Sequence, residues 1–327
     1  MNYRHIFLSL FTFFLLSCFD KKLILVSNQY KYDSYHEANS IIFIGDTQKT
    51  NKFQLLSENN TGIQDSLFKK ISNDDPDLII HLGDLVEFGS SYSDWNEFDK
   101  FSDYVDKENV PFFSVLGNHE YHGNDKKALA HFFSRFKYFE DKQSWFSFIT
   151  NGLGIILINS NEDNMSPHEI NLQLDWFHNQ MNEFNSSNDV SHIIIVSHHP
   201  PYTNMHVQYF KNAFPFIHSK DWSSNYIRKN YAEVFLASEK AFLFISGHTH
   251  SFEHFIIDNK HFIVSGGGGG PRDPINLEGI YNDVFIGPVI RNFHYCRLVR
   301  NNNSWIFEMV EYSKDQKWEI SNQFEID

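Results

Sequence analysis

Five short segments of this chain each place Asp, Asn or His at the end of an apolar run that is typical of a buried strand. The segments are Gly45-Asp46-Thr47-Gln48, Gly83-Asp84-Leu85-Val86-Glu87, Gly117-Asn118-His119-Glu120, His198-His199-Pro200-Pro201 and Gly247-His248-Thr249-His250. In open α/β sheets, ligands bind beyond the carboxyl ends of the strands, so five strands can direct such side chains into one crevice. Ordinary core packing does not call for a series of oxygen and imidazole ligands at strand ends. The segments together therefore predict one dinuclear metal site.

Each segment taken alone also has an ordinary structural explanation. A Gly-Asp pair after a strand is common in turns, where the Asp closes an Asx hydrogen bond. Asn118-His119 could cap a helix, and His248 with His250 could be a pair of surface histidines. The occurrence of all five segments in this order argues against these separate explanations.

From about residue 40 onward, apolar runs typical of buried strands alternate with helical periodicity. Strands are predicted at 41–44, 78–82, 111–116, 145–149, 154–159, 193–196, 242–245, 253–257, 261–265, 292–300 and 304–312, with a turn at 301–303, and helices at 53–71, 94–105, 126–137, 167–184 and 224–237. The sequence shows neither repeats nor an internal linker. We therefore predict one domain over residues 39–327, with two packed sheets flanked by helices.

The charge balance limits the classes of partner. The 327 residues include 27 basic and 41 acidic side chains, a net charge of −14, which gives no electrostatic footprint for nucleic acid. A metal pair would still create a local positive pocket, so anionic substrates remain compatible with this charge. The two cysteines, Cys18 and Cys296, lie outside the five segments and exclude both a disulfide framework and a zinc–thiolate site there.

The N-terminus has the pattern of an export signal. Arg4 precedes an apolar run at 6–16, which is too short to span a membrane and typical of a signal peptide. The run ends in Leu15-Leu16-Ser17-Cys18, which resembles a bacterial lipobox. We predict a signal peptide over 1–18, lipidation of Cys18, a tether over 19–38 and a membrane-anchored lipoprotein of a bacterial envelope. The alternative is an ordinary cleaved signal and a secreted or periplasmic protein.

The five ordered segments resemble the calcineurin-like metallophosphoesterase superfamily, within its purple-acid-phosphatase-like branch. Gln173-Leu174-Asp175-Trp176-Phe177 and the glycine run 266–270 are also similar to that branch, and the resemblance covers about residues 40–270. It implies an α/β (α+β) fold, a four-layer sandwich of two mixed β-sheets flanked by helices. It also implies a metal-dependent phosphoric ester hydrolase of the acid-phosphatase kind. The glycine run lacks the Lys-Ser/Thr of a P-loop, so we interpret it as a tight turn near the metal centre.

The resemblance also implies the metal ligands, position by position. The first metal takes Asp46 and His250, the second takes Asn118, His198 and His248, and Asp84 bridges the two. The cofactors would be two divalent ions, or iron with a divalent ion; Mn, Fe or Zn are compatible and Mn is favoured. A hydroxide that bridges the metals would attack phosphorus in line.

Three further positions carry open alternatives. The resemblance implies that His119 is the general acid for the leaving oxygen and that Glu87 pairs with it. The alternative for His119 is a structural histidine that orients the loop, and the alternative for Glu87 is a solvated acid. Gln48 stands where many members of the family have His, and the tyrosine of the purple acid phosphatases is replaced by Glu87. Gln48 can ligate through its amide oxygen, or the first metal is loosely held, or the enzyme is weak.

Substrate contacts are predicted at Asn118, His199, Tyr202 and Arg272, and Tyr121 and His122 could line the cleft. Packing against Pro200 is the alternative for His199, and a surface ion pair is the alternative for Arg272. The predicted substrate is a small phosphate ester, with monoesters favoured. A phosphodiesterase of the same fold and a weakly active binding module are the alternative functions, and the oligomeric state is left open.

Overall fold

The computed structural model describes residues 37–50, 58, 60, 62–106, 110–139, 143–205 and 223–326. The predicted signal peptide, Cys18 and nearly all of the predicted tether lie outside these residues. Among the helices of this part of the chain, none combines the length and apolar character needed to cross a membrane. The signal, the tether and the lipid anchor therefore stay predictions.

Twelve strands of the described residues form two six-stranded sheets. In chain order they are β1 (Ser40–Ile44), β2 (Leu78–His81), β3 (Phe112–Ser114), β4 (Phe146–Thr150), β5 (Leu153–Leu157), β6 (His192–Ser197), β7 (Ala241–Ser246), β8 (Phe252–Ile257), β9 (Lys260–Ser265), β10 (His294–Asn301), β11 (Ser304–Tyr312) and β12 (Trp318–Ile326). The first sheet has the order β12-β11-β10-β1-β2-β3 and the second the order β4-β5-β6-β7-β9-β8. Parallel and antiparallel pairs occur in both sheets, so both are mixed, as predicted.

Helices cover the outer faces of the sheets. They are α1 (Ile63–Asn73), α2 (Tyr92–Asp106), α3 (Asp125–Arg135), α4 (Pro167–Ser186), and a helical stretch at 225–237 made of α5 (Asn225–Ile227), a π turn (Arg228–Ala232) and α6 (Glu233–Ala237). A capping box starts α4: Ser166 and Glu169 each accept a backbone N–H of the other, and Pro167 follows. Such a start satisfies amide groups that the first helical turn leaves unpaired.

Three apolar clusters hold the layers together. One lies between the two sheets and includes Phe43, Phe148 and Phe307. A second packs the first sheet against α1 to α3, and a third packs the second sheet against α4 and residues 225–237. Helix, sheet, sheet and helix therefore stack as four layers, which confirms the predicted sandwich.

The last strand, β12, was not predicted. Among the described strands it pairs with β11 alone, at the edge of the first sheet, and most of its side chains are exposed. Its sequence consequently lacks the continuous apolar run of the buried strands. Its inward residues Phe324 and Ile326 nevertheless lie opposite Phe307 and Trp305. Of the predicted helix at 53–71, only the part from Ile63 onward is described as helical.

Candidate metal centre

The carboxyl ends of five strands bring the predicted ligands together. Asp46 follows β1, Asp84 follows β2, Asn118 follows β3, His198 follows β6, and His248 and His250 follow β7. The strands β1, β2 and β3 run parallel in one sheet, and β6 and β7 run parallel in the other. Two groups of donor atoms each fall within 4.8 Å: Asp46, Asp84 and His198, and His198, His199 and His248. The arrangement is the crevice expected from the sequence.

Three of these residues have left-handed backbone conformations, with φ of 61° at Asp46, 56° at Asp84 and 69° at His248. Such conformations cost about 1–2 kcal/mol for a residue with a side chain and gather at functional sites. The neighbouring Gly117 leaves no room for a side chain, because a Cβ there would lie 2.1 Å from Asp84 Oδ1. The backbone at these strand ends thus adopts conformations that accommodate the carboxylates of Asp46 and Asp84 and the imidazole of His248.

The second-metal group converges on the amide oxygen of Asn118. His198 Nε2 and His248 Nδ1 each lie 3.0 Å from Asn118 Oδ1, and Asp84 Oδ2 lies 3.4 Å from His198 Nε2. The other ring nitrogen of His198 donates to the Leu82 carbonyl at 2.9 Å, which directs Nε2 toward the centre. Spacings of this size are those of ligands that share one ion with bonds of about 2.1 Å.

The chemistry of this group fits a cation. The Nδ1 proton of His198 is directed at the Leu82 carbonyl, so a neutral ring would turn a lone pair toward Asn118 Oδ1, and two buried acceptors would face each other unless a proton or a metal ion lies between them. Burial lowers the pKa of His198, but the Asp84 carboxylate outweighs it and raises that pKa to about 9. Burial likewise raises the pKa of Asp84, yet His198 and His119 hold it well below its usual range. Positive charge is therefore favoured here.

The first-metal group is arranged around Asp46. His250 Nε2 lies 3.4 Å from Asp46 Oδ1, and its Nδ1 donates to the Pro271 carbonyl at 2.7 Å, which leaves Nε2 as the donor for a metal. Both carboxylate oxygens of Asp46 also accept the His248 amide at 3.0 Å. Burial lowers the pKa of His250, but Asp46 and Asp273 more than offset it and raise the pKa to about 10. This group too favours positive charge.

Gln48 is buried within the first-metal group. In the amide orientation that satisfies its neighbours, its nitrogen donates to the carbonyl oxygens of Asp84 and Asp46 at 3.0 and 3.2 Å. Its oxygen then lies 2.8 Å from His250 Nε2. The Gln48 amide oxygen and His250 Nε2, the proposed ligand nitrogen, are thus next to each other. This orientation is the one that direct ligation by Gln48 requires.

The glycine run 266–270 lies against the first-metal group. Gly268 donates to the Gly45 carbonyl and Gly270 to the Asp46 carbonyl, both at 2.9 Å. A Cβ on Gly268 would approach the Gly45 carbonyl oxygen to 2.2 Å, and one on Gly270 would approach the His250 ring to 2.8 Å. The run therefore supports the Asp46 loop from close range, in agreement with its interpretation as a tight turn near the centre.

His119 begins a short 3₁₀ helix (His119–Tyr121) next to Asp84. Its Nδ1 lies 2.8 Å from the Glu87 carbonyl oxygen and 3.5 Å from the Glu87 carboxylate, and its Nε2 lies 3.8 Å from Asp84 Oδ2. The backbone carbonyl thus fixes the ring, with the Nε2 edge toward the metal centre. His119 thus lies near the Glu87 carboxylate, as predicted, but its shorter contact is with the Glu87 backbone carbonyl.

Glu120 is a functional candidate that the sequence analysis missed. This fully buried carboxylate accepts the backbone amides of Asp84, Leu85 and Gly117, each at 2.8 Å. It therefore joins the loop that carries Asp84 to the loop that carries Asn118. Burial and the nearby Asp84 carboxylate raise the pKa of Glu120 to about 7. From the sequence alone, the buried Glu120 cannot be distinguished from a solvent-exposed acid.

The predicted substrate contacts differ in their surroundings. The His199 ring lies 4.3 Å from the His248 ring, and its Nδ1 lies 2.8 Å from Ser160 Oγ, so His199 borders the centre. Arg272 instead forms an ion pair with Glu58, in line with the alternative interpretation. The Tyr202 ring packs against those of Phe262 and Tyr281.

The two residues suggested to line the cleft also differ. Tyr121 is buried and accepts a hydrogen bond from Asn159 at 2.9 Å, so its role is structural. His122 is half-buried and packs against His119, with 4.2 Å between their ring centroids. Only His122 is therefore available beside the cleft.

Solved structures with similar folds come from distant proteins. GAP50, the anchor in the inner membrane complex of Plasmodium, has a TM-score of 0.62 at 18% identity over 89% of this chain and 89% of that chain. Purple acid phosphatase PPD1 from yellow lupin (Lupinus luteus) seeds has a TM-score of 0.63 at 15% identity over 91% of this chain and 55% of that chain. A dimetal phosphatase from Danio rerio has a TM-score of 0.54 at 12% identity over 88% and 98%. At these identities the likeness establishes the fold.

No curated protein matches the sequence. The family model of the calcineurin-like phosphoesterases, by contrast, matches residues 40–252, which is more than half of the chain and includes all five strand-end segments. The chain therefore belongs to the calcineurin-like phosphoesterase family.

Proposed function

We propose that this protein is a metal-dependent phosphoesterase that hydrolyses small phosphate esters, with monoesters favoured. The observation that carries the proposal is the position of Asp84. Its carboxylate lies 3.4 Å from His198 Nε2, and it also belongs to the donor group that contains Asp46. A single carboxylate is thus available to both candidate metal groups, as a dinuclear site requires.

The proposed ligand set leaves the site positively charged. The first metal would be held by Asp46, Gln48 and His250, the second by Asn118, His198 and His248, and both by Asp84. Only Asp46 and Asp84 in this set are anionic, so two divalent ions would keep an excess positive charge that attracts a phosphate ester. When bound, such a pair activates a water molecule and stabilises the charge on the phosphoryl oxygens.

His119 is the proposed proton donor. Because the Glu87 carbonyl accepts its Nδ1 proton, the Nε2 edge faces the crevice. The attacking water would lose one proton to the solvent as its oxygen bonds to phosphorus. The ester P–O bond breaks, its electron pair passes to the leaving oxygen, and that oxygen takes a proton from His119 Nε2. The Glu87 carboxylate lies 3.5 Å from Nδ1 and therefore faces the same edge of the ring as the Glu87 carbonyl.

Hard ligands favour Mn²⁺ or iron at the first position, where an amide oxygen and a carboxylate accompany one imidazole. The testing experiment is hydrolysis of p-nitrophenyl phosphate and bis-p-nitrophenyl phosphate by the purified full-length protein, loaded with Mn²⁺, Fe²⁺ or Zn²⁺. We expect turnover that chelation removes, with the monoester preferred. A preference for the diester would support a phosphodiesterase instead. Two bound metals without turnover of any ester would contradict the proposal.

A second candidate is a binding module with little catalytic activity. Gln48 in the first-metal group favours it, and GAP50, with a similar fold, is an anchor. This function predicts fewer than two tightly bound metals and no hydrolysis with any metal. The closeness of His119 to both Glu87 and Asp84 argues for the enzyme, because a binding module has no need of a positioned proton donor.

We also propose that the chain is exported and anchored through Cys18. The support is the lipobox-like sequence at 15–18 after a short apolar run. Expression in a bacterial host should place the protein in the membrane fraction with a lipid-modified Cys18, and Cys18→Ala should release it or block processing. Mass spectrometry of the mature N-terminus measures the modification. A soluble product that begins elsewhere would support ordinary signal cleavage.

A further inference from the structure

A row of three rings leads outward from the metal centre. His119 lies beside Asp84, the His122 ring is 4.2 Å from the His119 ring, and the Phe88 ring is 5.8 Å from the His122 ring. His119 and His122 are both half-buried, whereas Phe88 at the end of the row is 48% exposed. The row therefore connects the proposed proton donor to the protein surface.

The row is held rigidly by its backbone. Gly89 donates to the His119 carbonyl at 3.0 Å, and Ser90 donates to the His122 carbonyl at 3.2 Å. The Trp95 indole donates to the Gly89 carbonyl at 2.7 Å, and a Cβ on Gly89 would lie 2.3 Å from the Glu120 carbonyl oxygen. The loop that carries Phe88 is thus joined to the loop that carries both histidines, so the backbone of Phe88 is held next to the two imidazoles.

The two imidazoles share one anchor. The Nδ1 atoms of His119 and His122 lie 2.8 and 3.2 Å from the same Glu87 carbonyl oxygen. Phe88 is the next residue in the chain after this carbonyl. Since His119 would protonate the leaving oxygen, the group attached to that oxygen must lie on the side of the crevice where these rings stand.

We propose that His122 and Phe88 form a subsite for an aromatic leaving group, so that the preferred substrates are phosphate esters of aryl alcohols. The inference rests on the proposed function and specifies its substrate class. An aromatic group can stack on Phe88 and on the face of His122, whereas an aliphatic alcohol gains little from either ring. A single exposed Phe would need no explanation, but one that ends a row of rings from the proton donor does.

The test compares substrates within each variant. For Phe88→Ala we expect kcat/KM for 1-naphthyl phosphate to fall about threefold to tenfold more than kcat/KM for glycerol 2-phosphate, which is the size expected for one aromatic contact. Phe88→Trp should restore the preference. Tyr92→Ala is the matched control, because Tyr92 is an exposed aromatic residue that faces His131 and does not join the row. It should leave the substrate ratio unchanged.

A binding measurement separates the two proposals. Calorimetry of the metal-loaded protein with phenylphosphonate and methylphosphonate needs no turnover. Tighter binding of phenylphosphonate that Phe88→Ala abolishes would support the subsite even if no ester is hydrolysed. Hydrolysis with a substrate ratio and a phosphonate preference that Phe88→Ala leaves unchanged would overturn the subsite and leave the proposed function intact.

Discussion

The second-metal group is assembled from three strand ends, whereas the first-metal group depends on two strand ends and the glycine run 266–270. In the second group, Asn118 Oδ1 meets a nitrogen of His198 and a nitrogen of His248 at 3.0 Å each. In the first group, Asp46 and His250 are 3.4 Å apart and the amide of Gln48 lies beside them. One group therefore takes its ligands from the ends of three strands, and the other also depends on the glycine run packed against it.

This difference predicts unequal metal affinities. Strand ends position side chains with little freedom, so the second group needs little rearrangement to bind an ion. The first group contains an amide oxygen, which is a weaker ligand than imidazole for most divalent ions. We expect two binding steps, with the second-metal group filled first. Titration of the metal-free protein with Mn²⁺, followed by calorimetry, measures both steps.

The largest effect should come from Asp84, the residue common to both groups. Asp84→Ala should lower kcat/KM by on the order of 10³-fold, the upper end of the cost of losing one electrostatic group, and reduce metal loading in both groups. The measurement is turnover together with elemental analysis. Asp175→Ala, an exposed acid on α4, is the control. Wild-type metal content in Asp84→Ala would show that the groups do not share a ligand.

Removing one histidine from each group distinguishes the groups. His250→Ala should leave one tightly bound ion, whereas His248→Ala should remove the tighter step, and each should lower kcat/KM by roughly 10²-fold. Metal titration of the two variants gives the stoichiometry directly. Equal loss of both ions in either variant would mean that the centre fills as one unit.

Glu120 should act on both groups through the backbone. The backbone amides of Asp84 and Gly117 each donate to a Glu120 carboxylate oxygen at 2.8 Å. In Glu120→Gln one of the two carboxylate oxygens becomes an NH₂ group, which cannot accept these hydrogen bonds. The loops that carry Asp84 and Asn118 should therefore shift. We expect metal affinity to fall about 10-fold to 100-fold, as for outer groups that orient ligands. Glu253→Gln is the control, because Glu253 is equally buried but its hydrogen bonds go to Thr203 and Asn204.

If Glu120 only stabilised the fold, both variants would lose thermal stability while metal affinity stayed constant. Glu120→Asp, which keeps the charge but shortens the side chain, should recover part of the affinity. Calorimetric titration with Mn²⁺ and thermal unfolding of the same samples separate the two effects.

The smallest effect should come from strengthening the weaker group. Gln48→His should tighten the first-metal step by about tenfold, or 1.4 kcal/mol, and bring the two affinities closer together. The step for the second-metal group should not move. If the substitution instead weakens binding, the hydrogen bonds from Gln48 to the Asp84 and Asp46 carbonyls matter more than the ligand type.

Most of the fold and the ligand positions could be predicted because both follow from local patterns. A buried strand needs an apolar run, and a ligand at its end interrupts that run with a polar residue. The apolar runs of β1, β2 and β7 therefore indicate Asp46, Asp84 and His248 as candidate ligands. Glu120 could not be predicted, because its partners are backbone amides that carry no sequence signal. The edge strand β12 was missed for a different reason, because its mostly exposed side chains form no apolar run.

The direction of β1 also sets where the described chain enters the sheet relative to the metal centre. Ser40 begins the strand, and its amide is held by Asp77 at the end of the sheet remote from Asp46. With about 3.3 Å per residue, the chain enters roughly 20 Å from the ligand end. A lipid, a fusion tag or a solid support attached directly before Ser40 would therefore join the protein at the end of the sheet opposite the crevice.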